Sequence, residues 1–149
     1  MPKAKKAYAK EIKERVYLDQ EEKDFYFIIE FPADAVNEFK KYKEEGRAIS
    51  YYRAELSVEV NRTMFNGCIE GGYEVYYLGY DGEFHKVISG DFGESKSGNV
   101  AEIFGGLGIN IAKIHAKSGY VLTPDGGTYP CIPDYLDIKI NLYVTYGVG

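Results

Sequence analysis

From Leu136 to Tyr146 every second side chain is apolar: Leu136, Ile138, Ile140, Leu142, Val144 and Tyr146. Asp137, Lys139, Asn141, Tyr143 and Thr145 stand between them. Neighbouring side chains of a strand point to opposite faces, so the segment predicts a long β-strand buried on one side. A chain carrying such a stripe needs a sheet and something to cover the sheet's apolar face. Residues 49–60 repeat the pattern, with Tyr52, Ala54, Leu56, Val58 and Val60 on one side and Tyr51, Arg53, Glu55, Ser57 and Glu59 on the other.

Three further segments have local signatures. Asp24 to Phe31 is a nearly continuous apolar run, which suits a central strand covered on both faces. After Pro32, the residues Ala35, Val36, Phe39 and Tyr42 recur at helical spacing, with charges between them. Pro32 fits a first helical turn, Asp34 the positive end of the dipole, and Gly46 a left-handed stop. Asp81-Gly82 between two strand-like runs predicts a tight hairpin, and Asn66-Gly67 a chain reversal.

Residues 99–117 are ambiguous. Val100, Ile103, Phe104, Leu107, Ile111 and Ile114 form a helical stripe behind Asn99 as N-cap. Gly105, Gly106 and Gly108 oppose a helix, each costing up to ~1 kcal/mol in a helix interior. The stripe is assigned to a helix, broken near the glycines. Residues 90–98 and 118–134 are assigned to loops. The order is then β-α-β-β-β-α-β. This predicts an α+β domain: a mainly antiparallel sheet of about five strands with two helices packed on one face. A partly closed β-barrel or a sandwich is the alternative.

Residues 1–20 read as a solvated basic arm before a single domain at 21–149. Lys3, Lys5, Lys6, Lys10, Lys13 and Arg15 face only Glu11 and Glu14 in its first fifteen residues. The whole chain is acidic, at −5, which disfavours phosphate-rich partners. With 149 residues the chain can bury a full core. No apolar run is long enough to span a membrane, and no secretory leader is visible, so the cytoplasm or a virion is the expected location. A single Gln amid abundant Glu, Lys, Ile and Tyr suggests heat adaptation.

Catalytic chemistry has little to work with. The histidines are His85, with Glu83 on the same strand face, and His115, placed in the last turn of the doubtful helix. Glu83 and His85 are the candidate pocket pair, to converge with Tyr80 or Lys96. Cys68 and Cys131 match no metal spacing and read as two buried thiols, or as a disulfide outside a reducing cytosol. The glycine clusters lack phosphate-loop spacing, and Asn61-Arg62-Thr63 is a chance glycosylation match. No metal or cofactor is expected.

Tyrosine is the leading aromatic, at 15 residues. Tyr51, Tyr76, Tyr80, Tyr135 and Tyr143 fall opposite the core positions or at strand ends, where they suit protein contact better than base stacking beside so many carboxylates. With Lys5 and Lys6 they form the candidate interface of a non-enzymatic structural or assembly protein that binds itself. A nucleic-acid module and a small-ligand protein or enzyme are the alternatives. No family is recognised. The closest analogy is with phage tail-completion and tube proteins, whose strands are similar to Leu136–Val148 and Tyr51–Val60, about a sixth of the chain.

Overall fold

The computed structural model describes residues 4–60, 69–104, 106–131 and 135–149. Its elements run β1 (Ala4–Tyr17), β2 (Glu22–Glu30), α1 (Ala33–Glu44), β3 (Ile49–Val60), β4 (Ile69–Leu78), β5 (Phe84–Asp91), β6 (Ser95–Gly98), α2 (Val100–Ile103), β7 (Ile109–Leu122), β8 (Thr128–Cys131) and β9 (Tyr135–Val148). Asn61–Cys68, with the Asn66-Gly67 reversal and the Asn61 motif, lie outside the described residues.

The alternating stripe is β9. Leu136, Ile138, Ile140, Leu142, Val144 and Tyr146 are all sealed from water. Each such side chain contributes roughly 1.5–3 kcal/mol through burial, which holds β9 in register at the centre of its sheet. β3 pairs antiparallel on one side of it and β1 on the other.

β1 corrects the expectation of a solvated arm. Ala4–Tyr17 pairs with β9 residue for residue, from Ala4 opposite Val148 to Tyr17 opposite Tyr135. Only Tyr8, Ile12 and Val16 pack on the core. Lys6, Lys10 and Glu14 occupy the positions between them on the same face, so the apolar signal recurs every fourth residue and its period of two is hidden. Charged residues pointing inward are typical protection for an edge strand.

The strands form two sheets, ordered β1-β9-β3-β6 and β2-β7-β4-β5, with β8 added to β7. Apart from the β4–β5 hairpin and the β7–β8 ribbon, each strand is followed by one in the other sheet. This double Greek-key order is that of a jelly-roll sandwich. Ile29, Val75, Ile88, Ala112 and Ile114 of one sheet share a single core with the β9 stripe of the other. The described residues are mostly antiparallel strand and form no closed barrel, so the layout of two helices on one sheet is only partly matched.

α1 forms as the spacing predicts, burying Ala35, Val36 and Phe39, and Gly46 at φ 68° ends it. Phe39 plugs one end of the sandwich, its ring 5.6 Å from Phe104 and 5.1 Å from Tyr146. Phe31, edge-on, and Tyr8, tilted, each lie 5.0 Å from Phe104 and complete the cluster. A hairpin turn joins β4 and β5 as expected, but Gly82 alone takes positive φ, 79°. The bonds from Gly82 N–H to Gly79 and from Gly79 N–H to Glu83 close a longer loop than a two-residue Asp81-Gly82 turn.

Four local assignments are corrected. The proposed helix over 99–117 is a single turn, α2, followed by β7. The glycines stop the helix, and the β-branched Ile109, Ile111 and Ile114 continue as strand. β2 is an edge strand, not a central one. Residues 95–98 and 128–131 are strands β6 and β8 inside segments assigned to loops. Cys131 is disulfide-bonded rather than a free thiol.

Candidate interaction surfaces

The candidate tyrosines do not gather on one face. Tyr143 lies on the outer side of β9, paired with Ala9 and Glu55. Tyr135 lies at the start of the same strand, with the Arg15 guanidinium 4.0 Å above its ring. Arg15 in turn donates to both carboxylate oxygens of Asp137, at 2.8 and 3.1 Å. Tyr76 belongs to the other sheet, on the face opposite the buried Val75, and donates to Glu74. Tyr80 stands in the β4–β5 turn with Lys40 5.1 Å from its ring centre. The side chains of Tyr51 and Lys5 lie outside the described residues.

Lys6 is committed within the fold. Its ammonium sits 2.9 Å from Glu38 of α1, which raises the lysine's pKa. Glu38 also accepts from the Tyr42 hydroxyl at 2.6 Å. Tyr42 first and Lys6 second hold its carboxyl below the ordinary value. Lys13 pairs with Glu11 at 3.2 Å. Much of the arm's basic charge is therefore countered by its own chain.

The pocket pair separates. His85 Nε2 meets both oxygens of Asp81, at 3.1 and 2.8 Å, and its ring lies 5.2 Å from Tyr77. Glu83 instead turns its backbone N–H to Asp81 at 3.0 Å. That bond, and then His85, holds the Asp81 carboxyl below its usual pKa. Tyr80 and His85 do line one open cleft with Lys43 and Glu102, but Glu83 and Lys96 do not. Lys96 pairs with Glu94 at 3.4 Å. Asp81 was legible only as a turn residue; its second task depends on the hairpin closing.

His115 is held on the outer face of β7 between two carboxylates of β2. Nδ1 is 2.5 Å from Asp24 and Nε2 is 2.9 Å from Glu22. Lys113 lies 3.9 Å from Asp24 on the same face. This cluster cross-links β2 to β7 and leaves neither imidazole nitrogen free to activate a nucleophile. Among the described residues no group of His, Cys, Asp and Glu has the arrangement of a metal site.

The strongest outward feature was not singled out from the sequence. Tyr26 and Ile28 of β2 are 64% and 69% exposed. Across the sheet they continue as rows: Ile28 beside Ile111 beside Tyr76, and Tyr26 beside Lys113 beside Glu74. A second apolar feature is the β7–β8 ribbon, where Tyr120, Leu122 and Tyr129 are exposed. No helix among the described residues is long and apolar enough to cross a membrane.

No protein-family model matches the chain, and no curated protein matches it. Among solved structures, that of infectious bursal disease virus, Gx strain, is similar with a TM-score of 0.31 and 11% identity, covering 97% of this chain. The chain spans 42% of the length of that one. A likeness at this level leaves the fold to be read from the strand order alone.

Proposed function

We propose that this chain is a non-enzymatic structural subunit that assembles with copies of itself, as virion components built on jelly rolls do. The observation that carries the reading is the exposed apolar surface of Tyr26, Ile28, Tyr120, Leu122 and Tyr129 on a jelly-roll strand order, β1-β9-β3-β6 facing β2-β7-β4-β5. Jelly rolls of this kind serve in viral capsids, in lectins and in cupins. Fold alone does not choose among these, so the surfaces must. Among the described residues the buried side chains are apolar apart from Asn110, Ser118 and Thr145. Both histidines are bound by carboxylates of the same chain. What the molecule offers instead is exposed aromatic and aliphatic surface on a rigid frame, which suits contact with protein.

The disulfide at Cys131 favours a host or compartment where such bonds persist, an oxidising space or the interior of a hyperthermophile. This agrees with the heat-adapted composition. Multi-angle light scattering across a concentration series, followed by electron microscopy of the largest species, tests the reading. Assemblies of defined mass support it; a monomer at every concentration and salt overturns it.

A further inference from the structure

Among the described residues five strands have an open edge, and four of them are guarded. β1 carries Lys6, Lys10, Lys13 and Arg15. β6 and β8 are each four residues long. β5 is displaced by a bulge between Val75 and Tyr76 of its neighbour β4. Short length, bulges and lysines are the ordinary devices that keep an edge from pairing with another chain.

Of these devices β2 has a single lysine, Lys23, at its second position. Its nine residues pair with β7 without a break in register. Phe31 donates to Gly108 at 2.9 Å and Ser118 donates to Glu21 at 2.7 Å, just beyond the two ends of the ladder. In an antiparallel pair, hydrogen-bonded positions alternate, so the odd residues of β2 bond β7. The even residues, Glu22, Asp24, Tyr26, Ile28 and Glu30, turn their main-chain N–H and C=O groups to the open side. Tyr26 and Ile28 belong to this even set and are the strand's exposed large apolar side chains.

Resting on the reading of the chain as a self-associating subunit, we propose that β2 pairs antiparallel with β2 of a second copy, about a two-fold axis through Phe27. The segment is self-complementary in that register. Even residues meet even residues, as the free hydrogen-bonding groups require. Tyr26 faces Ile28 of the second copy, and the symmetry repeats that contact. On the inner side Phe25, only partly buried, faces Ile29, and Phe27 meets its own copy. Aromatic–aliphatic cross-strand pairs of this kind are favourable ones. Asp24 faces Glu30, and Lys113, 3.9 Å from Asp24, offsets part of that repulsion. The two sheets containing β2 become one continuous sheet across an isologous interface.

Two measurements on the full chain test this. The first is backbone hydrogen exchange of residues 22–30 in the unaltered protein at low and high concentration. Exchange at Asp24, Tyr26, Ile28 and Glu30 is expected to slow as the assembly forms. The second compares assembly mass for Ile28→Pro and for the double variant Tyr26→Lys, Ile28→Lys. Proline at Ile28 removes an outward N–H and leaves the bonds to β7 intact. Both changes are expected to weaken association by at least about tenfold while circular dichroism stays the same. An unaltered protein that assembles while β2 exchange is independent of concentration overturns the β2 interface and leaves self-association standing. So does a folded variant that assembles as tightly as the parent. A parent that never assembles overturns both.

Discussion

β9 and β7 hold matching places, each the second strand of its sheet with a neighbour on either side. Both are fourteen residues long. Their inner faces differ in kind. β9 buries Leu136, Ile138, Ile140, Leu142, Val144 and Tyr146, whereas β7 buries Asn110, Ala112, Ile114, Ala116 and Ser118. The large residues of one sheet fill the space above the small residues of the other, as dense packing of two faces demands. The difference teaches that a buried strand is conspicuous only when it supplies the bulk. β7 is no less buried, but its bulk is donated from across the core, and the isoleucines on its outer face mask the period of two.

The sharpest way to break this comparison is to remove bulk from β9. Leu142→Ala is expected to cost about 2–5 kcal/mol, read as a shift in the denaturant midpoint. A loss below 1 kcal/mol would mean that β9 does not supply the bulk. The end of β7 offers the next effect. Cys131 pairs with Gly119 there, and reducing its disulfide is expected to lower stability by ~2–4 kcal/mol. Identical melting curves with and without reductant would show that the ribbon needs no staple.

Adding bulk to β7 should harm it where removing bulk harms β9. Ala112→Leu is expected to cost about 1–3 kcal/mol by overpacking, again measured in denaturant. A stabilised variant would reveal spare volume above β7 and undo the complementarity. The smallest effects belong to the edge that β9 supports. Arg15→Ala removes an exposed pair with Asp137 and should leave the denaturant midpoint nearly unchanged.

At the same edge, the Glu38 carboxyl has a folded pKa below its ordinary 4.5. Its contribution is therefore fully present above that value and is lost as pH falls through the folded one. Melting temperatures of the parent and of Glu38→Gln should differ above pH 4.5 and converge in acid. A gap that widens in acid would reverse the assigned direction.

The surface was less legible than the core. Asp24 to Phe31 reads as apolar throughout, and an apolar run does not say which of its faces another layer will cover. Ile29 lies inside, while its neighbour Ile28 stands in water. Likewise Asp81 reads as a hairpin residue and His115 as a helix end. The carboxylate partners of each histidine follow from pairings that close over distance, β2 with β7 for His115 and the β4–β5 turn for His85.

The sequence by itself determined the elements whose causes are local: β3 and β9 through an alternation of two, α1 through its spacing and its flanking Pro32 and Gly46, and the place of the β4–β5 reversal through Gly82 and its positive φ. Only the tertiary structure decided that β1 is a strand, that β7 is not a helix, and how the strands divide between two sheets. Those outcomes depend on partners far along the chain. Ala4 finds Val148, and the small inner residues of β7 become a floor only when the bulk of β9 closes above them.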